Sequence, residues 1–258
     1  MKSMTSYYLE ILLLSIIQGI SEFIPVSSSA HLLLFSKIKA SNFSSLEIDV
    51  SLHLGSLIAI IVYFWKDLLN VYKSKELLNL IFFGSIPLLI VGFFFYSFGF
   101  IDHVRNLKVI AWTTLIFGVL LYFSDKKTQN KNIKKNLNLK NIFLIGFFQA
   151  LSIIPGVSRS GIIITGCRFS NFNRVDAAKI SFFLSIPALT GASFLSLNDL
   201  PDKTFEFNLA IFLSILFSFI FSYMTIKFLL YYLKKFSLSI FVYYRLLLSL
   251  LLFIIAYS

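Results

Sequence analysis

The sequence predicts an all-α polytopic membrane protein: six transmembrane helices plus two re-entrant helix hairpins, in an inverted-topology repeat. Three observations predict it. Of the 258 residues, 57% are hydrophobic and only 14% charged, where a soluble domain carries roughly a quarter charged residues. Apolar runs near the roughly 20 residues that cross a bilayer recur along the whole chain. Two further apolar stretches are interrupted in their middles by Pro, Gly and Ser. This composition excludes an ordinary cytosolic enzyme, a disordered chain and a coiled coil.

Six stretches read as full spans: about 48–65, 77–99, 108–124, 177–197, 207–231 and 240–257. The interrupted stretches are 7–35 and 141–168. The first carries Gln18-Gly19-Ile20-Ser21-Glu22-Phe23-Ile24-Pro25-Val26-Ser27-Ser28-Ser29-Ala30-His31, the second Gln149 through Ile154, Pro155, Gly156 and Val157 to Ser158-Arg159-Ser160-Gly161. Non-helical backbone at membrane depth survives only where protein or a wet cavity satisfies it. Both stretches therefore read as helix–turn–helix hairpins around a site.

The two interruptions resemble each other, and Asp49 and Asp176 each precede a span downstream. One hairpin plus three spans, repeated once, accounts for a single membrane domain over 1–258. Repeat 1 covers about 1–125 and repeat 2 about 140–258, joined by the basic loop 125–140. Three crossings is an odd number, so the second repeat must be inverted, with the site where the broken helices meet near the midplane.

Loop charges predict the orientation. One side holds 15 Lys and Arg, in 66–76, in 125–140, at Arg168, Arg174 and Lys179, and at Lys227, Lys234 and Lys235. The other holds 6: Lys2, Lys37, Lys39, Arg105, Lys108 and Lys203. Positive-inside bias puts the richer side in the cytoplasm, with both termini outside and the first hairpin opening outward. The same bias explains the net charge of +11 better than nucleic acid does. Lys2 ahead of an apolar run and Ser28-Ser29-Ala30 faintly imitate a signal peptide, but Gln18, Ser21 and Glu22 interrupt the run first, so the segment is expected to stay. Cys167 is the only cysteine, expected as a small packing residue.

Ionisable groups at membrane depth are expensive and are functional candidates by default. Gln18 and Glu22, four apart, share a helix face one turn before Pro25, where two oxygen-bearing side chains suit a hard divalent cation or a positioned water. Satisfaction of a buried Glu by the Ser-rich turn is the alternative. Ser27-Ser28-Ser29 is a strong helix start and places His31 in the first helical turn, where the helix dipole favours the neutral imidazole of a nucleophile or base. A simple cap with a hydrogen-bonded His31 is the competing reading. Ser158-Arg159-Ser160-Gly161 joins helix-opening amides to a planar fork of donors, a set that suits phosphate or pyrophosphate. Arg159 paired with Glu22 across the two tips is the alternative there. His53 reads as packing, and Arg245 as an interfacial anchor or a second phosphate contact. The 31 Phe read as lipid-facing and core filler.

With these residues in view, the chain resembles the bacitracin-resistance family of undecaprenyl-diphosphate phosphatases. Gln18, Glu22, Pro25, Val26, Ser27, Ser28 and His31 match its first motif, and Pro155 to Gly161 match its second completely. Asp49–Trp65, Ala178–Ala192 and Tyr244–Phe253 also look like family sequence. The resemblance implies a hydrolase of the bacterial plasma membrane. It would remove the terminal phosphate of undecaprenyl diphosphate, recycle the carrier for peptidoglycan synthesis and confer bacitracin resistance. It implies Glu22, Ser28, His31 and Arg159 as catalytic residues, with Ser28 and His31 as nucleophile and base in an order the motif leaves open. Ser27, Ser158, Arg159, Ser160 and Gly161 would bind substrate. Gln18 and Glu22 would hold a divalent cation, Mg²⁺ or else Ca²⁺. Partners would be the polyprenyl diphosphate and membrane lipid, with room for a homodimer and no nucleic acid. Two positions depart from the pattern: Gln18 stands where many members have Glu, and Ile163 where a hydroxyl residue is expected.

Two rivals compete. The same architecture serves secondary transporters, so an inverted-repeat transporter or flippase of an anionic polyprenyl lipid or phosphate is the main one. A phosphatase of the type-2 phosphatidic-acid family is weak, because its signatures are missing and only Ser29-Ala30-His31 faintly echoes one.

Overall fold

A computed structural model describes residues 4–39, 46–73, 75–100, 104–198 and 208–257. Lys2, Lys203 and position 207 at the start of one predicted span lie outside the described residues, as do the side chains of Lys37 and Lys39. The chain is helical, and among the described residues the only β pairing is a bridge between Lys131 and Phe172.

The first interrupted stretch forms α1 (Met4–Ser21) and α2 (Ser28–Lys39). Then follow α3 (Leu46–Tyr63), α4 (Trp65–Lys73), α5 (Lys75–Ser97) and α6 (Leu107–Asp125). A single turn, α7 (Ile133–Asn136), precedes the second interrupted stretch. That stretch forms α8 (Leu139–Ala150), a 3₁₀ turn (Leu151–Ile153) and α9 (Arg159–Phe169). The remaining helices are α10 (Arg174–Asn198), α11 (Leu209–Leu233) and α12 (Ser239–Tyr257). Six of them, α3, α5, α6, α10, α11 and α12, are long and apolar enough to cross a membrane, and they match the six predicted spans. The short helix α4 falls in a stretch read from sequence as loop.

Asparagine sets several helix starts. The side chains of Asn106, Asn132, Asn138 and Asn208 accept hydrogen bonds from the amides of Val109, Lys135, Asn141 and Ile211, at 3.0, 3.1, 2.9 and 3.1 Å. Each satisfies one of the donors that a helix leaves unpaired at its first turn.

The interior is apolar around α9 and α10, with Ile162, Ile163, Ile164, Cys167, Phe182 and Leu184 closed off from solvent against Ile60, Phe64 and Leu229. Cys167 is a packing residue, as its surroundings in the sequence suggest. Large apolar side chains cover the outside instead: Phe82, Phe93, Met224 and Leu247 are all more than half exposed. Such a surface, unfavourable in water, is what lipid tails require. The protein is a multi-pass membrane protein.

Packing joins the two halves. α1 lies along α11 and α8 along α5, while α3 meets α11 and α6 meets α12. Between α3 and α11, Ser56 Oγ stands 3.2 Å from Ser218 Oγ and 3.0 Å from Ser222 Oγ, and Ser218 donates to the Leu52 carbonyl at 2.6 Å. Small hydroxyl residues of this kind let helices approach closely where no hydrophobic force drives them together.

At one end of the bundle, Asp125 ties several segments together. Its carboxylate accepts both arms of Arg174 at 2.7 and 3.0 Å and the Leu238 amide at 3.0 Å, with Arg168 Nε 3.3 Å away. Arg168 is fully buried and donates further to the Phe172, Asp125 and Lys127 carbonyls. Counted from sequence among the loop charges, Arg168 is an internal strut.

Candidate active site

Each interrupted stretch turns through one strained serine. Ser27 has φ 80° and Ser158 φ 69°, a conformation that costs a side-chain-bearing residue about 1 kcal/mol or more. Each opens the helix that follows. Ser158 Oγ accepts the Gly161 amide at 3.2 Å, and Ser27 Oγ stands 3.1 Å from Ser29 Oγ.

The tips then interlock. Ser29 Oγ accepts the Gly156 amide of the second tip at 3.2 Å, and Ser160 Oγ donates to the Ile24 carbonyl of the first at 3.1 Å. Backbone groups left open by each turn are thus satisfied by the other, as buried polar groups require. Gly156 has φ 90°, and a Cβ there would run into Thr113. Thr113 Oγ1 donates to the Pro155 carbonyl at 2.6 Å.

A cavity of about 340 Å³ opens beside the joined tips, lined by Glu22, Ser27, Ser28, Ser158 and Arg159 together with Ser21, Ser29, Ser152, His53 and Arg105. Arg159 pairs with Glu22, the arrangement that the sequence left as an alternative to phosphate binding. The Glu22 side chain is 5% exposed and the Arg159 side chain 16%. One carboxylate, several hydroxyls and two guanidinium groups therefore share one partly closed space.

Not every predicted site residue faces it. Gln18 is fully buried behind Glu22, its Nε2 donating to Glu22 Oε2 at 3.1 Å. Ser160 is spent on the Ile24 carbonyl. Gly161 lies in the first turn of α9, where a Cβ would stand 3.0 Å from Arg245 Nη1. His31 turns away from the cavity: Nδ1 is 2.6 Å from the Ser27 carbonyl and Nε2 is 2.6 Å from the Tyr244 hydroxyl. The structure does not bring His31 to the cavity that Ser28 lines. Ile163 is fully buried in the core, which explains an apolar residue there.

Arg245 corrects both sequence readings of it. It is fully buried and donates to the Gly156 carbonyl at 3.0 Å, the Val157 carbonyl at 3.1 Å and the Thr114 carbonyl at 3.3 Å. It braces the second tip from behind and contacts neither a lipid interface nor the cavity.

The match to the family model of bacitracin resistance protein BacA runs over residues 11–251. The chain belongs to this family. It is similar to undecaprenyl-diphosphatase of Pelagibacter ubique, 53% identical over 256 residues that cover 99% of this chain and 100% of that protein. The undecaprenyl-diphosphatase of Elusimicrobium minutum is 39% identical, covering 95% of this chain and 96% of its own length. That of Halothermothrix orenii is 36% identical, with 96% and 97% covered.

The cavity wall also contains two residues that sequence reasoning placed elsewhere. His53 was read as packing, and its Nδ1 is indeed tied to the Asp49 carbonyl at 2.7 Å, yet it lines the cavity. Arg105 was counted among loop charges. A basic residue just before a helix carries no signal that distinguishes a cavity wall from a loop.

Gln18 and Glu22, the two residues expected to hold a cation, lie side by side, Gln18 behind Glu22. Gln18 Oε1 is buried without a hydrogen-bond partner among the described residues, and the Gln18 amide nitrogen bonds the Glu22 carboxylate. Among the described residues no three His, Cys, Asp or Glu cluster as an all-protein cage would need. Mg²⁺ characteristically takes one or two carboxylates and fills the rest of its sphere with water and substrate phosphate.

Proposed function

We propose that this protein hydrolyses undecaprenyl diphosphate to undecaprenyl phosphate and inorganic phosphate, returning the lipid carrier to cell-wall synthesis. The observation that carries the reading is the convergence of Ser28, Glu22 and Arg159 from two different hairpins on one cavity. The relatives named undecaprenyl-diphosphatase, alike over nearly the full chain, support it.

In this mechanism the diphosphate enters the cavity while its polyisoprenyl chain stays in lipid. Arg159 and Arg105 receive the phosphoryl oxygens, Arg159 trading part of its contact with Glu22 for substrate. Planar bidentate donation suits arginine to that role. Ser28 Oγ attacks the terminal phosphorus and the bridging P–O bond breaks, releasing undecaprenyl phosphate. Glu22 accepts the serine proton. Glu22 passes that proton to the departing undecaprenyl phosphate, then takes one from the water that attacks the phosphoserine and returns it to Ser28 Oγ as phosphate leaves. Gln18 and Glu22 would hold the divalent cation, whose chemistry when bound is to neutralise charge on the phosphoryl oxygens. Charge developing on those oxygens is also what preorganised guanidinium groups stabilise.

The architecture belongs to the same reading: two re-entrant hairpins in an inverted repeat. Exchange of equivalent helices supports it, since α1 on α11 and α8 on α5 are the same contact made twice. The reciprocal serine bonds between the tips support it too. In the bacterial plasma membrane, positive-inside bias would place the cavity mouth and both termini outside.

Phosphate release from undecaprenyl diphosphate by the purified protein in detergent tests the function, with Mg²⁺ or EDTA and beside Arg159→Ala. Release that needs the cation and fails in the variant is expected. Intact substrate after incubation with folded, lipid-binding protein would refute hydrolysis in favour of transport.

A further inference from the structure

We infer that Tyr244 is a positioning residue for the reaction, acting through His31 on the strained turn that presents Ser28. The inference rests on the phosphatase reading above and assigns His31 a task other than proton transfer.

Hydrogen-bond chemistry fixes the direction of the relay. The Ser27 carbonyl can only accept, so His31 Nδ1 carries a proton and donates across 2.6 Å. In the neutral ring Nε2 is then an acceptor, and the Tyr244 hydroxyl donates to it, also across 2.6 Å. The rings lie parallel, 7° apart in plane with centroids 5.6 Å apart. Both nitrogens are engaged, leaving His31 no lone pair for the Ser28 hydroxyl.

What the relay grips is the Ser27–Ser28 peptide. Ser27 sits at φ 80°, a conformation held only where its surroundings over-determine it. In a trans peptide the carbonyl and the next N–H point in opposite directions. Drawing the Ser27 carbonyl down α2 towards His31 therefore aims the Ser28 N–H off the helix start. Ser28 lines the cavity, and an amide so aimed suits a phosphoryl oxygen.

The second tip shows that the side-chain grip is specific to the first. There the equivalent carbonyl, Ser158, accepts the Ile162 backbone amide at 2.9 Å. Tyr244 lines an apolar groove of about 400 Å³ between α1 and α12 and is not among the residues that line the cavity, so its influence on Ser28 would run through His31.

Two measurements test this. The chain has three histidines, so ¹⁵N-histidine NMR of the full-length protein, assigned with His31→Gln, reads the ring directly. A His31 ring protonated at Nδ1, whose Nε2 signal moves in Tyr244→Phe, is expected. An Nε2-protonated ring, or a signal unmoved in that variant, overturns the relay. In turnover, Tyr244→Phe keeps the stacked ring yet should lower kcat about three- to tenfold, with KM and the shape of the pH profile unchanged. Added to His31→Gln, it should cost less than about twofold more. Additive losses, or wild-type kcat in Tyr244→Phe, refute the inference. A wild-type protein that releases no phosphate refutes the activity instead, and the histidine signal still decides the relay.

Discussion

At the first tip the carbonyl of Ser27 is held by one imidazole, itself held by one phenol at the edge of an open groove. At the second, Arg245 and Thr113 bond three successive carbonyls, those of Pro155, Gly156 and Val157. The two turns are bent alike, with φ of 80° and 69° at their serines, but the main donor at one, Arg245, is fully buried, while the pair at the other is partly exposed. Tyr244 and Arg245 are neighbours on α12, and each serves a different tip. In the proposed mechanism the more heavily braced second tip would carry the binding guanidinium, and the first, held by the single His31–Tyr244 pair, would carry the reacting hydroxyl. A nucleophile must move as its bond to phosphorus forms, whereas an electrostatic stabiliser works best when it needs no reorganisation.

That contrast can be broken in four ways. Ser28→Ala should abolish turnover, a loss of more than about 1,000-fold, while substrate still binds. Phosphate release and lipid-binding assays separate the two effects, and substantial residual turnover would move the nucleophile elsewhere. Arg245→Met removes a buried donor shared by the Thr114, Gly156 and Val157 carbonyls and should cost about 3 kcal/mol of stability. Its midpoint of thermal unfolding in detergent should fall clearly, although the residue lies outside the cavity. Arg105→Ala removes a cation contributed by neither tip. KM should rise about tenfold, with kcat nearly unchanged if the contact is equally strong in ground and transition states. Ser29→Ala and Ser160→Ala should each cost about 1 kcal/mol in denaturation. Because each joins the same two tips, their double variant should lose less than the sum of the two.

The spans were legible because a bilayer imposes length and composition on a helix without regard to its partners. The two helix breaks were legible for a related reason: Pro25, Pro155, Gly156 and the serine runs interrupt apolar sequence, and the chain turns there between α1 and α2 and between α8 and α9. The meeting of Glu22 and Arg159 could be anticipated from the likeness of the two motifs, and the structure pairs them. What escaped was direction. The motif brings His31 close to Ser28 in sequence, but its partner Tyr244 lies 213 residues away, and the ring lines the groove beside Tyr244 instead of the cavity. Arg245 looked like an anchor beside two tyrosines because nothing local reveals carbonyls 88 and 89 residues distant. Arg105 and His53 escaped for the same reason, since a cavity wall is assembled from segments that carry no shared pattern. Asp125 sat at a loop boundary, and its pairing with Arg174 depends on how the chain returns.

Cys167, fully enclosed in the core, has a practical consequence for mapping the membrane topology. A thiol sealed among apolar side chains does not react with water-borne reagents, and no other cysteine competes with it. The natural chain therefore serves as its own unreactive background for scanning. One introduced cysteine at a time, on the rim near Arg105 or beside the Asp125 knot, should report through its labelling by an impermeant maleimide which end of the bundle meets the outside of the cell.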